Sequence, residues 1–302
     1  MGVLFCFGCG YVASHLARRL RARGWNVRGT VRDPARLAAL REAGIEGWVF
    51  RRDRPLADPA RALAGVTHVL HSIPPDEAGD PVLDVHGDHL RRLATLRWVG
   101  WLGTTAVYGD RGGAWVDEED EPRPTLARAR RRLAAERAWL ASGLPVHVFR
   151  LAGIYGPGRN PLRNLLDGRA HRIVKPGQVF GRIHVEDLVR VLEASMARPH
   201  PGRVYNVADD EPAPPQDVVA FAAALLGVEP PPEIPFEEAE LSPAARAFYA
   251  DCRRVRNDRI KRELGVVLRY PTYREGLRAL LAVERAAGAG GGSTESPSRA
   301  NT

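Results

Sequence analysis

The chain has 302 residues, 44% of them apolar, enough to bury a large core. No apolar run reaches the roughly 18 residues that a membrane span needs, and the N-terminus lacks the basic start of a signal peptide, so the expected location is the cytoplasm, with no membrane partner. The net charge of +8 rests on arginines scattered over helix faces, without an aromatic-interleaved basic patch, which argues against nucleic acid; three cysteines argue against a disulfide framework.

In chain order, the apolar run Val3–Phe7 reads as a buried strand. Residues 10–23 place Val12, Leu16 and Leu20 on one face of a helix that Gly24 ends. Asn26–Val31 is strand two. Asp33-Pro34 opens a second helix, with Asp33 as its cap and Pro34 in its first turn. Ile45–Phe50 is strand three, and a short helix precedes Thr67–His71, strand four. Arg97–Thr104 is strand five, Leu126–Ser142 a helix, and Val146–Leu151 strand six. Strands alternating with helices predict an α/β fold: a Rossmann-type, doubly wound parallel sheet.

Beyond residue 155 the rhythm breaks. "HRIVKPGQVFGRIHV" predicts a hairpin turning at Pro176-Gly177. A helix from Glu186, a strand in "GRVYNVADDEP" and a helix over "PPQDVVAFAAALLG" follow, and "VEPPPEIPFEEA" reads as a linker. The expected organisation is a dinucleotide-binding region over 1–155, a mixed region over 156–285 that completes the sheet and forms a smaller substrate subdomain, and a disordered Gly/Ser-rich tail over 288–302.

Two patterns overlap at the start. Cys6-Phe7-Gly8-Cys9 is a C-x-x-C, and Gly8-Cys9-Gly10-Tyr11-Val12-Ala13 is a G-x-G-x-x-A. The second has a strand before it and a helix after it, as a dinucleotide turn requires. Gly8 permits the tight turn, Gly10 lets backbone approach a pyrophosphate, and Ala13 allows close packing. The helix start then offers free N–H groups to the phosphates. Cys6 lies on a buried strand and no further Cys/His cluster completes a metal site, so no metal is expected. At the end of strand two no carboxylate stands before Asp33. Arg32, with Arg36 one turn on, is placed to hold a 2′-phosphate, so NADP is expected over NAD.

Four motifs, "FGCGYVASHLA", "GTTAVYGDRGG", "RLAGIYGPGR" and "GRIHVEDLV", come in an order that resembles the extended and atypical short-chain dehydrogenase/reductases, more narrowly the NAD-dependent epimerase/dehydratase-type proteins. The resemblance implies that Thr104 hydrogen-bonds the reacting oxygen. It implies that Ser72, Ile73 and Pro74, just after strand four, run beside the cofactor with Gly8, Cys9, Gly10, Tyr11 and Val12. It places Arg182 and His184 where the smaller subdomain meets the sheet, as substrate contacts together with Thr105 and Arg159. Asp187 falls in the first turn of the next helix, where its charge suits the dipole. A small-molecule substrate, with a nucleotide-sugar as one candidate, and a homodimer fit the resemblance.

The sequence departs from the family's pattern in one respect. The Tyr-x-x-x-Lys pair is missing from "TLARARRRLAAERAWL", where Arg128 stands at the Tyr position and Arg132 at the Lys position. Arginine can hold a ribose or phosphate oxygen but cannot act as an acid near neutral pH. Arg128, Arg132 and Glu136 could equally form an exposed ion-paired face. Tyr108 and Tyr155 are the substitutes for the absent acid. Two functions follow: an NAD(P)-dependent oxidoreductase, epimerase or dehydratase, or a cofactor-binding sensor or structural protein without chemistry.

Overall fold

The computed structural model describes residues 2–289. Strand β1 (Val3–Phe7) leads through the glycine turn into helix α1 (Tyr11–Arg21), then β2 (Asn26–Val31), α2 (Leu37–Glu42) and β3 (Glu46–Val49). Next come α3 (Pro59–Leu63), β4 (His68–His71), α4 (Pro81–Arg91), β5 (Trp98–Thr104), the short β6 (Trp115–Val116), α5 (Ala127–Leu140) and β7 (Val146–Leu151). The remainder carries β8 (Gly153–Tyr155), α6 (Pro161–Leu166), β9 (Arg172–Val174), β10 (Arg182–His184), α7 (Val185–Ala197) and β11 (Val204–Val207). It ends with α8 (Pro215–Leu226), β12 (Glu233–Pro235), α9 (Pro243–Phe248), β13 (Arg254–Val255), α10 (Asp258–Leu264) and α11 (Tyr273–Ala289). Helix α11 thus runs two residues into the segment read as a tail. Residues 290–302 of that segment lie outside the described residues.

The main sheet has seven parallel strands in the order β11-β7-β5-β4-β1-β2-β3. The strand order reverses between β1 and β4, which is where ligands sit in such sheets. Alternation along β1 fills both faces. Leu4 and Cys6 join α1 and α7 on one side, while Phe5 and Phe7 meet α3, α4 and α5 on the other. In β5 a Cβ on Gly100 or Gly103 would collide with the rings of Trp98 and Trp101, so glycine makes room for two buried indoles. Among the described residues no helix is long and apolar enough to cross a membrane.

Four expectations need correction. The hairpin at Pro176-Gly177 does not form. Gly177 does turn the chain with φ +75°, but β9 pairs in parallel with β12, and β10 pairs in parallel with β8. The "linker" therefore contributes a strand, β12. Helix α4 has no counterpart in the expected elements. Asp80 starts it by accepting from the N–H groups of Val82 and Leu83. Asp80 also receives His71 Nε2 at 2.7 Å. Burial works against its charge, but His71, Trp139 and the Leu83 N–H together outweigh it and hold the carboxyl at about 2.

Helix α5 is not an exposed ion-paired face. Glu136 is buried and pairs with the buried Arg150 of β7 at 2.6 Å. Arg150 donates onward to the Tyr108 hydroxyl at 2.8 Å, and that hydroxyl donates to Asn206 of β11, also at 2.8 Å. Four elements are thus joined by one buried polar chain.

Two outcomes follow from this interior. Removing one partner of a buried ion pair leaves the other charge uncompensated, at a cost of about 3–5 kcal/mol. Glu136→Ala is therefore expected to lower the urea midpoint by far more than truncation of an exposed partner such as Glu121, and equal effects would refute the assignment. The second concerns acid. Burial disfavours the imidazolium, so His68, His86, His147 and His184 each sit at about 4 in the folded chain. Unfolded histidine titrates near about 6.5. Their stabilising effect is complete above that value and fades as pH falls toward 4, because the unfolded chain takes protons the folded one refuses. Asp209, Glu118 and Asp187, each raised by burial, act in the opposite sense. Urea midpoints are expected to fall between about pH 7 and about pH 5; a midpoint constant over that range would contradict it.

Candidate active site

The dinucleotide turn is built from β1, β2 and β4. Gly8 has φ +91°, and a Cβ there would lie 2.8 Å from Ser72 Oγ, so only glycine fits. Thr30 of β2 accepts from the Gly8 N–H through its hydroxyl and from the Cys9 N–H through its carbonyl, both at 2.8 Å. Ser72 donates to the Gly8 carbonyl at 2.7 Å. Its hydroxyl braces the turn. Around Gly10 nothing lies within 4 Å of where a Cβ would be. Helix α1 has neither a side-chain cap nor an acidic residue in its first turn. That open space and the free N–H groups of the helix start fit a pyrophosphate. Val12 and Ala13 are buried beneath it.

The two thiols of the C-x-x-C are free and buried. Contact with Cys9 and burial hold the Cys6 thiol well above its ordinary value, while the same contact lowers Cys9. The Cys9 sulfur fills the space over Gly29 of β2. At the end of β2, Arg32 and Arg36 are exposed and make no ion pair among the described residues. Asp33 spends its carboxylate on the Ala35 N–H at 3.0 Å.

Beyond the turn, the ends of β4, β5 and β7 open onto a cleft of about 450 Å³. Pro74 and Pro75 enter it from β4, Thr104 and Thr105 from β5, and Arg128, Arg131 and Arg132 from α5. Thr104 is half-buried and accepts the Ala106 N–H at 3.1 Å, which leaves its own proton free to donate. Thr105 is buried, with its hydroxyl 3.4 Å from the Leu151 carbonyl. Arg132 donates to the Leu102 carbonyl of β5 at 3.1 Å, two residues before Thr104. Burial lowers its affinity for its proton, though it stays cationic. A second lobe of about 350 Å³ adjoins the first through Gly153, Phe180, Gly181 and Phe248. Tyr155, Arg159 and Arg182 face it. Tyr155 is itself buried, its hydroxyl packed against Gly276 of α11 and 3.5 Å from the Thr272 carbonyl, and burial pushes that hydroxyl far up, so it keeps its proton.

Two expected site residues are not brought to the cleft. Tyr108 is fully buried and its hydroxyl is spent between Arg150 and Asn206. Burial holds it at about 12. In this geometry it cannot pass a proton to anything in the cleft. His184 is likewise buried; its Nδ1 caps α7 by accepting from the Glu186 N–H at 3.2 Å. Arg182 reaches the second lobe but already donates to the Phe180 and Ala213 carbonyls.

Other residues shape the site without having been foreseen. Asp187 does sit in the first turn of α7, yet its two oxygens accept the N–H groups of Arg269 and Tyr270, both at 2.8 Å. Glu284 of α11 accepts from Gly158 and Asn160 at 2.8 and 2.6 Å. These buried carboxylates clamp the C-terminal segment around the second lobe. Tyr11 adds a link from the dinucleotide turn, donating to the Pro157 carbonyl at 3.1 Å. Phe180, Phe248, Asp251 and Arg253 also line the first lobe. No local pattern in the sequence marks them.

No family model matches the chain. Protein YeeZ of Escherichia coli (strain K12) is 29% identical over 242 residues, covering 74% of this chain and 84% of YeeZ. A 3-diazoavenalumate denitrifying reductase from a Streptomyces species is 28% identical over 309 residues, covering 92% and 99%. A dTDP-glucose 4,6-dehydratase of Streptomyces griseus is 30% identical over 226 residues, covering 65% and 67%. Among solved structures, a functionally unknown conserved protein from Silicibacter pomeroyi is 56% identical with a TM-score of 0.88, covering 94% and 99%. The dTDP-glucose 4,6-dehydratase DesIV from Streptomyces venezuelae, solved with NAD bound, shares the fold at 20% identity and a TM-score of 0.74, covering 96% and 98%. The parallel sheet, the glycine turn with its bare helix start, and these relatives lead to one conclusion: the chain belongs to the NAD-dependent epimerase/dehydratase family of extended short-chain dehydrogenase/reductases.

Proposed function

We propose that the chain is an NADP-dependent oxidoreductase acting on a small polar carbonyl compound, or on the matching alcohol in an epimerase or dehydratase sequence. The observation that carries this reading is the pairing of Thr104 and Arg132 in one cleft, at the sheet edge next to the dinucleotide turn. Two relatives are named for such chemistry, one a reductase and one a dehydratase.

A bound nicotinamide would supply or accept the hydride. Gly8, Gly10 and the start of α1 hold the pyrophosphate. Arg32 and Arg36, with no carboxylate to neutralise them among the described residues, suit a 2′-phosphate. Thr104 donates a hydrogen bond to the reacting oxygen. Arg132, in place of the family's lysine, holds the ribose and lends a fixed positive charge as negative charge grows on that oxygen. With Tyr108 withdrawn, Tyr155 of the second lobe is the tyrosine left to this reading as proton donor, and to serve it must turn its hydroxyl from the Thr272 carbonyl toward the substrate. The withdrawal of Tyr108 also favours the second reading, a cofactor-binding protein without chemistry. NADPH consumption separates the two.

A charge-assisted contact is worth about 1.5–3 kcal/mol, so NADPH is expected to bind at least about tenfold more tightly than NADH. Arg32→Ala should remove most of that preference. Equal affinities in the unaltered protein would sink the NADP assignment.

For the chemistry, loss of a donor to a developing oxyanion costs about 10²–10³ in turnover. Thr104→Val is expected to show this with NADPH affinity within a few-fold. Tyr155→Phe is expected to cost about 10²–10⁴, the usual share of a general acid. Tyr108→Phe should lower the thermal midpoint and leave turnover of the folded fraction nearly unchanged. If Tyr108→Phe abolished turnover while Tyr155→Phe did not, the assignment would be reversed.

A further inference from the structure

The cleft carries a marked imbalance of charge. Around its two lobes stand Arg128, Arg131, Arg132 and Arg253 in the first and Arg159, Arg169 and Arg182 in the second. Among the described residues the single acidic one lining either lobe is Asp251, and it is spent: it accepts from Thr125 at 2.7 Å and pairs with Arg253 at 3.2 Å. Arg132 is tied to the Leu102 carbonyl, and Arg131 meets the exposed Glu77 at 3.3 Å. Arg128 has neither a carboxylate nor a hydrogen-bond partner among the described residues. It stands one helical turn before Arg132, where like charges repel unless an anion lies between them. A water-filled cleft lined by one sign of charge concentrates ligands of the other.

The second feature is aromatic. Phe248, at the end of α9, is 51% exposed although it lines both lobes. Its ring lies 4.5 Å from that of Phe180, tilted by 37°. Phe180 in turn leans on Tyr249. An apolar ring held open over a cleft, backed by two further rings, offers a face on which a flat ligand can stack. Val179, Val255 and Leu126 make the adjoining wall apolar.

We propose that the substrate is a small aromatic or conjugated carboxylate, its acid group held by Arg128 and its planar body against Phe248 and Phe180. This rests on the reading of the cleft as the reaction site, and it sharpens the substrate class from polar to anionic and planar. A neutral sugar would leave Arg128 uncompensated.

The test is calorimetric titration of the protein saturated with NADPH, using cinnamate, cinnamamide and UDP-glucose as probes. Cinnamate is expected to bind at least about tenfold more tightly than its amide. Arg128→Gln should weaken cinnamate by about the same factor and leave cinnamamide unchanged. Phe248→Ala should weaken both. Equal binding of acid and amide, indifference of cinnamate to Arg128→Gln, or binding of UDP-glucose alone would overturn the proposal. A protein that binds NADPH yet fails these tests refutes the substrate class only. A protein that binds no NADPH refutes the functional reading beneath it.

Discussion

The site depends on how one buried guanidinium is neutralised. Arg150 lies in β7, in the body of the sheet, where an unpaired cation would be prohibitive. Glu136 reaches down from α5 to meet it with both oxygens. This pins the rotation of α5. Residues four and eight positions earlier share a helical face, so anchoring Glu136 inward carries Arg132 and Arg128 along the same side, up to the edge where β5 ends. The cleft's cations are placed by an ion pair that is itself out of reach of any ligand.

The same guanidinium removes a candidate from the chemistry. Glu136 does not exhaust the donors of Arg150, and a remaining N–H finds the Tyr108 hydroxyl. Tyr108 then completes its own bonding with Asn206, which ties β11 to the turn after β5. A hydroxyl with both its roles occupied in the interior has nothing to offer a substrate. Thr104, four residues earlier, stays at the rim because its backbone still belongs to the strand. The oxygen it presents accepts only one local N–H.

Around the sheet, carboxylates do at long range what the caps do locally. Asp187 and Glu284 each satisfy two donors on segments far away in sequence, and so bring the 269–270 stretch against α7 and the 158–160 stretch against α11. The second lobe exists because these segments are held there. Such bonds form only when the donors are buried with the acceptor, so they are as much a consequence of the packing as a cause of it.

The sequence by itself determined the parts whose signals are local. A five-residue apolar run, a turn only Gly8 can make, and an amphipathic helix with Val12, Leu16 and Leu20 on one face specify β1, the dinucleotide turn and α1 without outside help. The strand and helix alternation up to β7, apart from α4, the Asp33 cap and the Pro215–Leu226 helix closed by Gly227 belong to the same class. Only the tertiary structure decided what each element lies beside. The Pro176-Gly177 turn was legible, but β9 and β10 go to partners elsewhere in the chain, because a turn says where the chain bends and not which edge is vacant. Tyr108 and Tyr155 look alike in the sequence, each followed by glycine, yet Arg150 and Asn206 take the hydroxyl of the first into the sheet and the Thr272 carbonyl takes that of the second beside the smaller lobe. Phe248 and Asp251 enter the site from a segment without periodic pattern, because burial beside distant residues writes no local signal.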